Sequence, residues 1–390
     1  MFRLKVVVAI DSFKGSISSA DGSKAIASGI KTVFPFAEIV ALPLADGGEG
    51  TVEALVHAAG GEFIKTTVTG PLGTEIMARY GVIKNGKTAV IEVAEACGLD
   101  LVPTAQRNPL LTTTFGVGQL ILHAIGRGCR EFVIGLGGSA TNDGGVGMLQ
   151  ALGFQFLDEN GQEVARGGGM VKSIRSVDTS QAVLELKDCR FRVACDVNNV
   201  LHGPTGASHV FGPQKGATPE MVASLDAGLR HFGDVLRNQL NIDLQNLPGS
   251  GAAGGLGGAF AGFLQANLES GIELILNITA MEEKMQGADF VITGEGKLDD
   301  QTAMGKAPLG VAQLAAKQGI PVIALAGAVP IDASSLNKLG ITSCFSISNG
   351  PMSLEEAMDF ETAFNNLKGT AEQIFGLIQS VASKTETFQQ

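Results

Sequence analysis

Two carboxylates, Asp46 and Glu49, stand among three glycines in the segment 46–50, directly after the apolar run 39–44. Glycine lets a backbone turn sharply and bring its N–H groups close to a ligand. A helix start follows, and its unpaired N–H groups and partial positive charge attract anions. The carboxylates can hold a metal ion or accept a proton. The segment predicts a ligand-binding turn at a strand end, although an ordinary strand-to-helix connection has the same composition.

Another carboxylate, Asp196, follows the predicted strand 190–194 and precedes Asn198 and Asn199. A carboxylate at a strand end can act as a general base or a metal ligand. The asparagine side chains offer both donors and acceptors to a small polar substrate. Turn formation by Asp and Asn is the competing explanation.

The segment 11–16 supplies a cation, Lys14, with the hydroxyls of Ser12 and Ser16, after a predicted strand over 5–10. Such a group can clamp a carboxylate or a phosphate, with Lys14 as the point charge. A capped helix start with a solvated lysine fits the same residues.

The segment 294–302 carries Glu295, Lys297, Asp299 and Asp300 at the end of another predicted strand. Carboxylates at such a place suit Mg²⁺ held together with nucleotide phosphates. The sequence therefore predicts Asp299 and Glu295 as metal ligands. A solvated loop is the alternative for a charge cluster of this kind.

The segment 249–258 is rich in glycine and matches the letters of a dinucleotide-binding loop, but no predicted strand precedes it. It also lacks the lysine of a P-loop, and close packing of helices would explain its glycines equally well. The residues predicted to bind a nucleotide are Gly251, Gly254, Gly255, Gly257, Gly294, Gly296 and Lys297.

The sequence lacks the residue patterns of zinc enzymes and serine hydrolases. The five histidines show no zinc-site spacing, and neither a Ser-His-Asp arrangement nor a Gly-x-Ser-x-Gly elbow is found. Anion-binding turns combined with carboxylates are what phosphoryl transfer requires: positioning, Mg²⁺ and a proton acceptor.

The elements that position these residues change in type along the chain. Strands alternate with helices at both ends, whereas short alternating segments with an Asn85-Gly86 turn predict hairpins in between. We predict an α/β protein with a flavodoxin-like parallel-sheet domain from 1–62 and 286–390, interrupted by an inserted mixed-sheet α/β domain at 63–285. Glycine turns from both domains must converge on one pair of ligands, so we expect the active site in the cleft between them.

The composition of the chain limits the classes of binding partner that it can have. The chain has 390 residues, 45% of them hydrophobic, and a net charge of −11, which argues against nucleic acid or an anionic membrane as the main partner. Five cysteines without Cys-x-x-Cys spacing indicate reduced thiols, hence a cytoplasmic protein. No segment predicts a membrane span. A homo-oligomer is compatible with the sequence, which does not specify one.

Taken together, these segments resemble the signature blocks of the bacterial glycerate kinase type-1 family, in order and spacing over essentially the whole chain. The resemblance implies ATP-dependent phosphorylation of D-glycerate, generally at the 2-hydroxyl, and two domains of which one is flavodoxin-like. The blocks that carry it are 11–16, 42–51, 135–145, 194–208, 212–218, 249–258 and 293–302.

Within that reading we favour Asp196 as the base, because the loop 202–208 can orient a three-carbon hydroxy acid. Asp46 is then suited to ordering Mg²⁺ and phosphate, while Ser12, Lys14 and Asn198 bind the substrate. A kinase of another small sugar acid or polyol is the first alternative. A non-catalytic ligand-binding protein is the second, although it would not need so many carboxylates at strand ends.

Overall fold

The computed structural model describes residues 4–45, 47–298, 307–330, 332 and 334–387. Two of the predicted site residues, Asp46 and Asp299, lie outside the described residues. The chain divides into two compact units. Unit 1 comprises 1–46, 53–59 and 272–390, and unit 2 comprises 47–52 and 60–271. The domain boundaries drawn from the sequence stay predictions.

The strands, in chain order, are β1 (Lys5–Ile10), β2 (Glu38–Ala41), β3 (Glu62–Thr69), β4 (Glu75–Ile83), β5 (Thr88–Glu92), β6 (Glu131–Gly135), β7 (Gln155–Leu157), β8 (Ser176–Asp178), β9 (Arg190–Ala194), β10 (Asn267–Glu269), β11 (Phe290–Lys297), β12 (Val322–Ala328) and β13 (Ser343–Ser346).

The helices are α1 (Ser19–Val33), α2 (Thr51–Ala59), α3 (Ala94–Cys97), α4 (Phe115–Gly126), α5 (Val146–Ala151), α6 (Ala207–Phe211), α7 (Pro219–Leu240), α8 (Ala252–Leu264), α9 (Gly271–Ile278), α10 (Met281–Met285), α11 (Ala307–Lys317), α12 (Ser334–Lys338), α13 (Leu354–Met358) and α14 (Phe360–Thr387). Short 3-10 turns cover Leu99–Leu101, Thr104–Gln106, Gly168–Ser173, Leu184–Asp188 and Pro213–Lys215.

Unit 1 is built on a parallel sheet with strand order β13-β12-β11-β1-β2. Counted within the unit, this is the order 2-1-3-4-5 of flavodoxin-like folds. The run Val6–Ile10 is buried, as expected for a parallel strand covered on both faces. Helices α1 and α14 pack against each other and share one apolar core with β1. The flavodoxin-like prediction is confirmed.

Unit 2 holds a mixed sheet of order β10-β9-β6-β5-β4-β3. The pairs β3–β4 and β4–β5 are antiparallel, which confirms the predicted hairpin at 84–87, and β5, β6, β9 and β10 run parallel. Side chains of these strands and of α4, α7 and α8 form its core, where the rings of Phe132 and Phe191 stack at 4.7 Å. Across the described parts of both units, no helix combines the length and the apolar character that crossing a membrane requires.

Candidate active site

In unit 1, the chain reverses its direction of strand addition between β1 and β11. From β1 the next strand is added on one side, and β11 is added on the other. Open α/β sheets bind ligands outside the carboxyl ends of the strands at such a switch point. The two strand ends are joined here, because the backbone N–H of Asp11 donates to the carbonyl of Gly294 at 2.9 Å.

The turn after β1 carries the predicted substrate-binding residues. Phe13 and Ile17 exchange backbone hydrogen bonds, which closes a tight loop with Lys14 exposed on it. The Asp11 carboxylate is buried and accepts from the backbone N–H of Ser12 at 2.6 Å. The loop therefore presents the Lys14 cation at the switch point.

The end of β11 lies beside that turn. A Cβ on Gly296 would be 3.7 Å from the Cα of Phe13, which is ordinary contact distance. Glu295 is buried and Lys297 is exposed. The structure thus brings Ser12, Lys14, Gly294, Glu295, Gly296 and Lys297 together at one edge, although they come from opposite ends of the chain.

In unit 2, four parallel strands end at one level. Glu92, Gly135, Ala194 and Glu269 are successive partners in register across β5, β6, β9 and β10. The turn 47–52 lies across these ends. A Cβ on Gly135 would be 2.5 Å from the carbonyl oxygen of Gly47, and one on Gly137 would be 2.7 Å from the Cα of Gly48. Side chains at Gly135 and Gly137 would displace the turn. Because glycine has none, the turn can pack directly on the strand ends.

Asp196 and Asn198 follow β9 at this same edge and are both exposed. One carboxylate oxygen of Asp196 accepts from the backbone N–H of Gly271, the first residue of α9, at 2.9 Å. That contact orients the carboxyl group and leaves it open to solvent. Asp196 has the accessibility that a proton acceptor for a bound alcohol needs.

The glycine-rich segment 249–258 packs closely against neighbouring backbone. Gly251 donates its N–H to the carbonyl of Asn199 at 2.9 Å, and a Cβ on Gly255 would be 2.7 Å from the Cα of Gly144. Gly254 and Gly257 are buried against backbone in the same way. This packing accounts for glycine at these positions, so their contact with a nucleotide stays a prediction.

Glu92, the last residue of β5, was not selected from the sequence. Its side chain is 7% exposed, and Oε1 accepts from the backbone N–H of Val52 at 2.7 Å. Burial raises the pKa of Glu92 to about 7, against the opposing effect of the N–H groups of Val52 and Gly50. A carboxyl group with such a pKa exchanges protons near neutrality. Its position after an apolar strand was the only indication in the sequence.

A buried ammonium group underlies the loop 137–141. Lys215 is 2% exposed, and its Nζ donates to Ser139 Oγ at 3.0 Å and to the carbonyl of Thr141 at 2.6 Å. Burial lowers the pKa of Lys215 to about 8. This contact could not be predicted from the sequence, because Gln214-Lys215-Gly216 has the composition of a solvated turn.

Asp143 organises the end of the same loop. It is buried and accepts from the backbone N–H groups of Thr114 at 2.8 Å, Gly145 at 3.1 Å and Gly147 at 3.3 Å, and from the Thr114 hydroxyl at 2.9 Å. Burial raises the pKa of Asp143, and these hydrogen bonds oppose that shift. The sequence analysis did not single out Asp143, although it lies inside the segment 135–145.

Within the ranges that the structure describes, no three His, Cys, Asp or Glu side chains are grouped as a metal site. Glu295 offers a buried carboxylate at the switch point, and hard oxygen ligands of this type fit Mg²⁺ bound with phosphates. The predicted partner Asp299 is outside the described residues, so the ligand pair stays a prediction.

Comparison with known proteins gives one consistent result. The model of the glycerate kinase family matches residues 6–379. A glycerate kinase of Bacillus cereus (strain ATCC 10987 / NRS 248) is 47% identical over 381 residues, covering 98% of this chain and all of the relative. The chain belongs to the glycerate kinase family. It is thus a phosphotransferase with an alcohol acceptor, like its curated homologues.

A second curated relative and a crystal structure are similar to the chain over nearly its whole length. The glycerate 2-kinase of Escherichia coli (strain K12) is 46% identical over 364 residues, covering 93% of this chain and 95% of the relative. A crystal structure of a proposed glycerate kinase 2 from Salmonella typhimurium LT2 superposes with a TM-score of 0.90 at 43% identity. That match covers 98% of this chain and 100% of the other.

Proposed function

We propose that this glycerate kinase transfers the terminal phosphoryl group of ATP to the 2-hydroxyl of D-glycerate, giving 2-phosphoglycerate. The proposal depends on one observation, the similarity to a relative named glycerate 2-kinase, of which the match covers 95%. Both sheet edges fit this chemistry. One presents Lys14 and Lys297 beside a buried Glu295, and the other presents the accessible carboxylate of Asp196.

The residues divide into three roles. Ser12 and Lys14 hold the carboxylate of glycerate or the transferred phosphoryl group, with Asn198 binding the substrate's hydroxyls. The main-chain groups of Gly294 and Gly296, with Lys297, receive the nucleotide phosphates. Asp196 accepts the proton of the attacking hydroxyl as the new P–O bond forms.

The test of this function is an ADP-release assay with a panel of hydroxy acids, sugar acids and polyols. We expect D-glycerate to give the highest kcat/KM, and phosphorus NMR of the product to show 2-phosphoglycerate. A higher kcat/KM for another sugar acid or polyol would reassign the substrate. ADP release with no acceptor in the panel above background would contradict the kinase activity itself.

Activity is expected to require a divalent cation. When bound, Mg²⁺ neutralises the charge that develops on the transferred phosphoryl group. Glu295 and Asp299 are the residues proposed to hold it. Excess EDTA should abolish turnover, and added Mg²⁺ should restore it. Full activity in EDTA would remove the metal from the proposal, and an unchanged Mg²⁺ affinity in Asp299→Ala would remove that ligand.

Replacement of Lys14 should weaken substrate binding. Loss of a charge-assisted contact costs about 1.5–3 kcal/mol, so Lys14→Ala should lower kcat/KM roughly ten- to a hundredfold or more. Lys24→Ala is the matched control, because that lysine is exposed on α1 in the same unit and pairs only with Asp21 among the contacts described. An effect of Lys14→Ala no larger than that of Lys24→Ala, with normal circular dichroism, would make Lys14 a solvated turn residue.

A further inference from the structure

A charged side chain contacts the turn 47–52 at the strand ends of unit 2. Glycines let this turn approach the backbone of β6 and the side chain of Ala194. The Glu92 carboxylate supplies a directed contact, the 2.7 Å hydrogen bond from the Val52 N–H. Val52 is the second residue of α2, so this N–H has no acceptor within its own helix.

A buried carboxylate that accepts this hydrogen bond carries a desolvation penalty. Glu92 is almost fully buried, and its partner in register on β6 is Gly135, which provides no cation. The other charged side chains that act on it are Glu95 on α3 and Arg79 on β4, which pair with each other at 2.8 Å. Glu49, in the turn itself, is exposed. A neutral amide would accept the same hydrogen bond without the desolvation penalty of a charge.

Charge nevertheless strengthens the contact. A hydrogen bond to an ionised acceptor is about twice as strong as a neutral one, and an anion at a helix start is favoured further by the helix dipole. The segment held in this way immediately follows Asp46, which the sequence predicts for Mg²⁺ and phosphate. A buried charged residue that lowers the stability of the folded protein, next to a segment predicted to bind ligands, is typical of a functional site.

We propose that Glu92 is a positioning residue of the kinase, whose carboxylate fixes the turn 47–52 on the carboxyl ends of β6 and β9. This inference rests on the proposed function for its catalytic consequence. Glu92 acts through the main chain of the turn, without contacting the substrate.

The first test measures the turn directly, without any substrate. Hydrogen exchange followed by mass spectrometry should show amides 47–52 exchanging about tenfold faster or more in Glu92→Ala, because a hydrogen bond that protects them is lost. Glu92→Gln keeps an acceptor and should show a smaller increase. Glu131→Gln, at the opposite end of β6, is the matched control and should leave the exchange unchanged. Unchanged exchange in Glu92→Ala would overturn the proposal.

The second test separates positioning from a merely structural role. The raised pKa of Glu92 means that its charge lowers the free energy of unfolding as pH rises from about 4.5 to about 7. Glu92→Gln should therefore raise Tm at pH 8 and have little effect at pH 4. We expect the same variant to lower kcat/KM for glycerate about three- to tenfold at pH 8, because the neutral hydrogen bond is weaker. A structural residue would lose stability and activity together.

The third readout is the pH profile of kcat/KM. The wild-type profile should fall on the acid side near pH 7, as Glu92 is protonated, and Glu92→Gln should lack that limb. An acid limb retained in Glu92→Gln overturns the role of the charge. Activity as low as in Glu92→Ala, with unchanged exchange, would place Glu92 on the reacting groups and overturn the positioning role. If the wild type does not phosphorylate glycerate, the proposed function fails, while exchange and Tm still test Glu92.

Discussion

Asp196→Asn should lower kcat about a hundredfold or more and leave the KM for glycerate nearly unchanged, because general-base catalysis contributes about 10²–10⁴ in rate. Asparagine keeps the shape of the side chain and an oxygen that can accept from the Gly271 N–H. It removes only the ability to take the proton from the attacking hydroxyl. Steady-state kinetics with D-glycerate and ATP, at saturating Mg²⁺, measure the effect.

Asp178→Asn is the matched control. Asp178 ends strand β8 in the same unit and accepts a backbone N–H from Ser180 at 2.7 Å, but it lies outside the sheet whose ends form the candidate site. It should leave kcat unchanged. Asp46→Asn should weaken the dependence on Mg²⁺ and ATP more than it lowers kcat. The reverse pattern in Asp196→Asn and Asp46→Asn would exchange their roles, and normal kcat in both would exclude both as the base.

The largest effect on stability is expected for Asp143→Ala. Alanine leaves the buried N–H groups of Thr114, Gly145 and Gly147 without the carboxylate that accepts from them. Unpaired buried donors cost about 1–3 kcal/mol each, so the free energy of unfolding should fall by about 3–5 kcal/mol, part of the loss being offset by removal of a desolvated charge. Thermal and urea unfolding, followed by circular dichroism, measure the change.

Asp158→Ala provides the comparison, because that carboxylate also accepts two backbone N–H groups, from Asn160 at 2.8 Å and Gln162 at 3.0 Å. Both hydrogen bonds are exposed to solvent, so water replaces the lost acceptor, and the change should stay within about 0.5–1 kcal/mol. If Asp143→Ala is no less stable than Asp158→Ala, the hydrogen bonds of Asp143 do not stabilise unit 2.

Strand ends were predictable from the sequence because a buried parallel strand is a continuous apolar run, and the residue that ends it is visible. The apolar run within 5–10 led to Lys14 in this way, and the alternating strand 190–194 led to Asp196. The parallel sheet then followed from the alternation of elements, since a helix between two strands favours a parallel pair.

Contacts between distant segments could not be predicted in this way. Lys215 reaches Ser139 and Thr141 across 76 and 74 residues, and no local pattern reports that burial. The glycines of 249–258 illustrate the opposite difficulty. Glycine permits both close backbone packing and close approach of a ligand, so its presence does not distinguish the two. The neighbouring backbone of 141–144 and 199–200 shows that packing requires glycine here.

The pairing of β1 with β11 also constrains the order in which the chain can fold during its synthesis. Lys5 and Asp289, which bond at this pair, are 284 residues apart. At about 5–20 residues per second, the ribosome needs about 15–60 s to supply the partner of β1. Meanwhile 60–271 emerges as one continuous segment and can complete its own core. Only β2 is available to β1, and a two-stranded pair is marginal in water. The apolar run Val6–Ile10 therefore lacks its β11 neighbour, and the shielding that this strand provides, until residue 290 has left the exit tunnel.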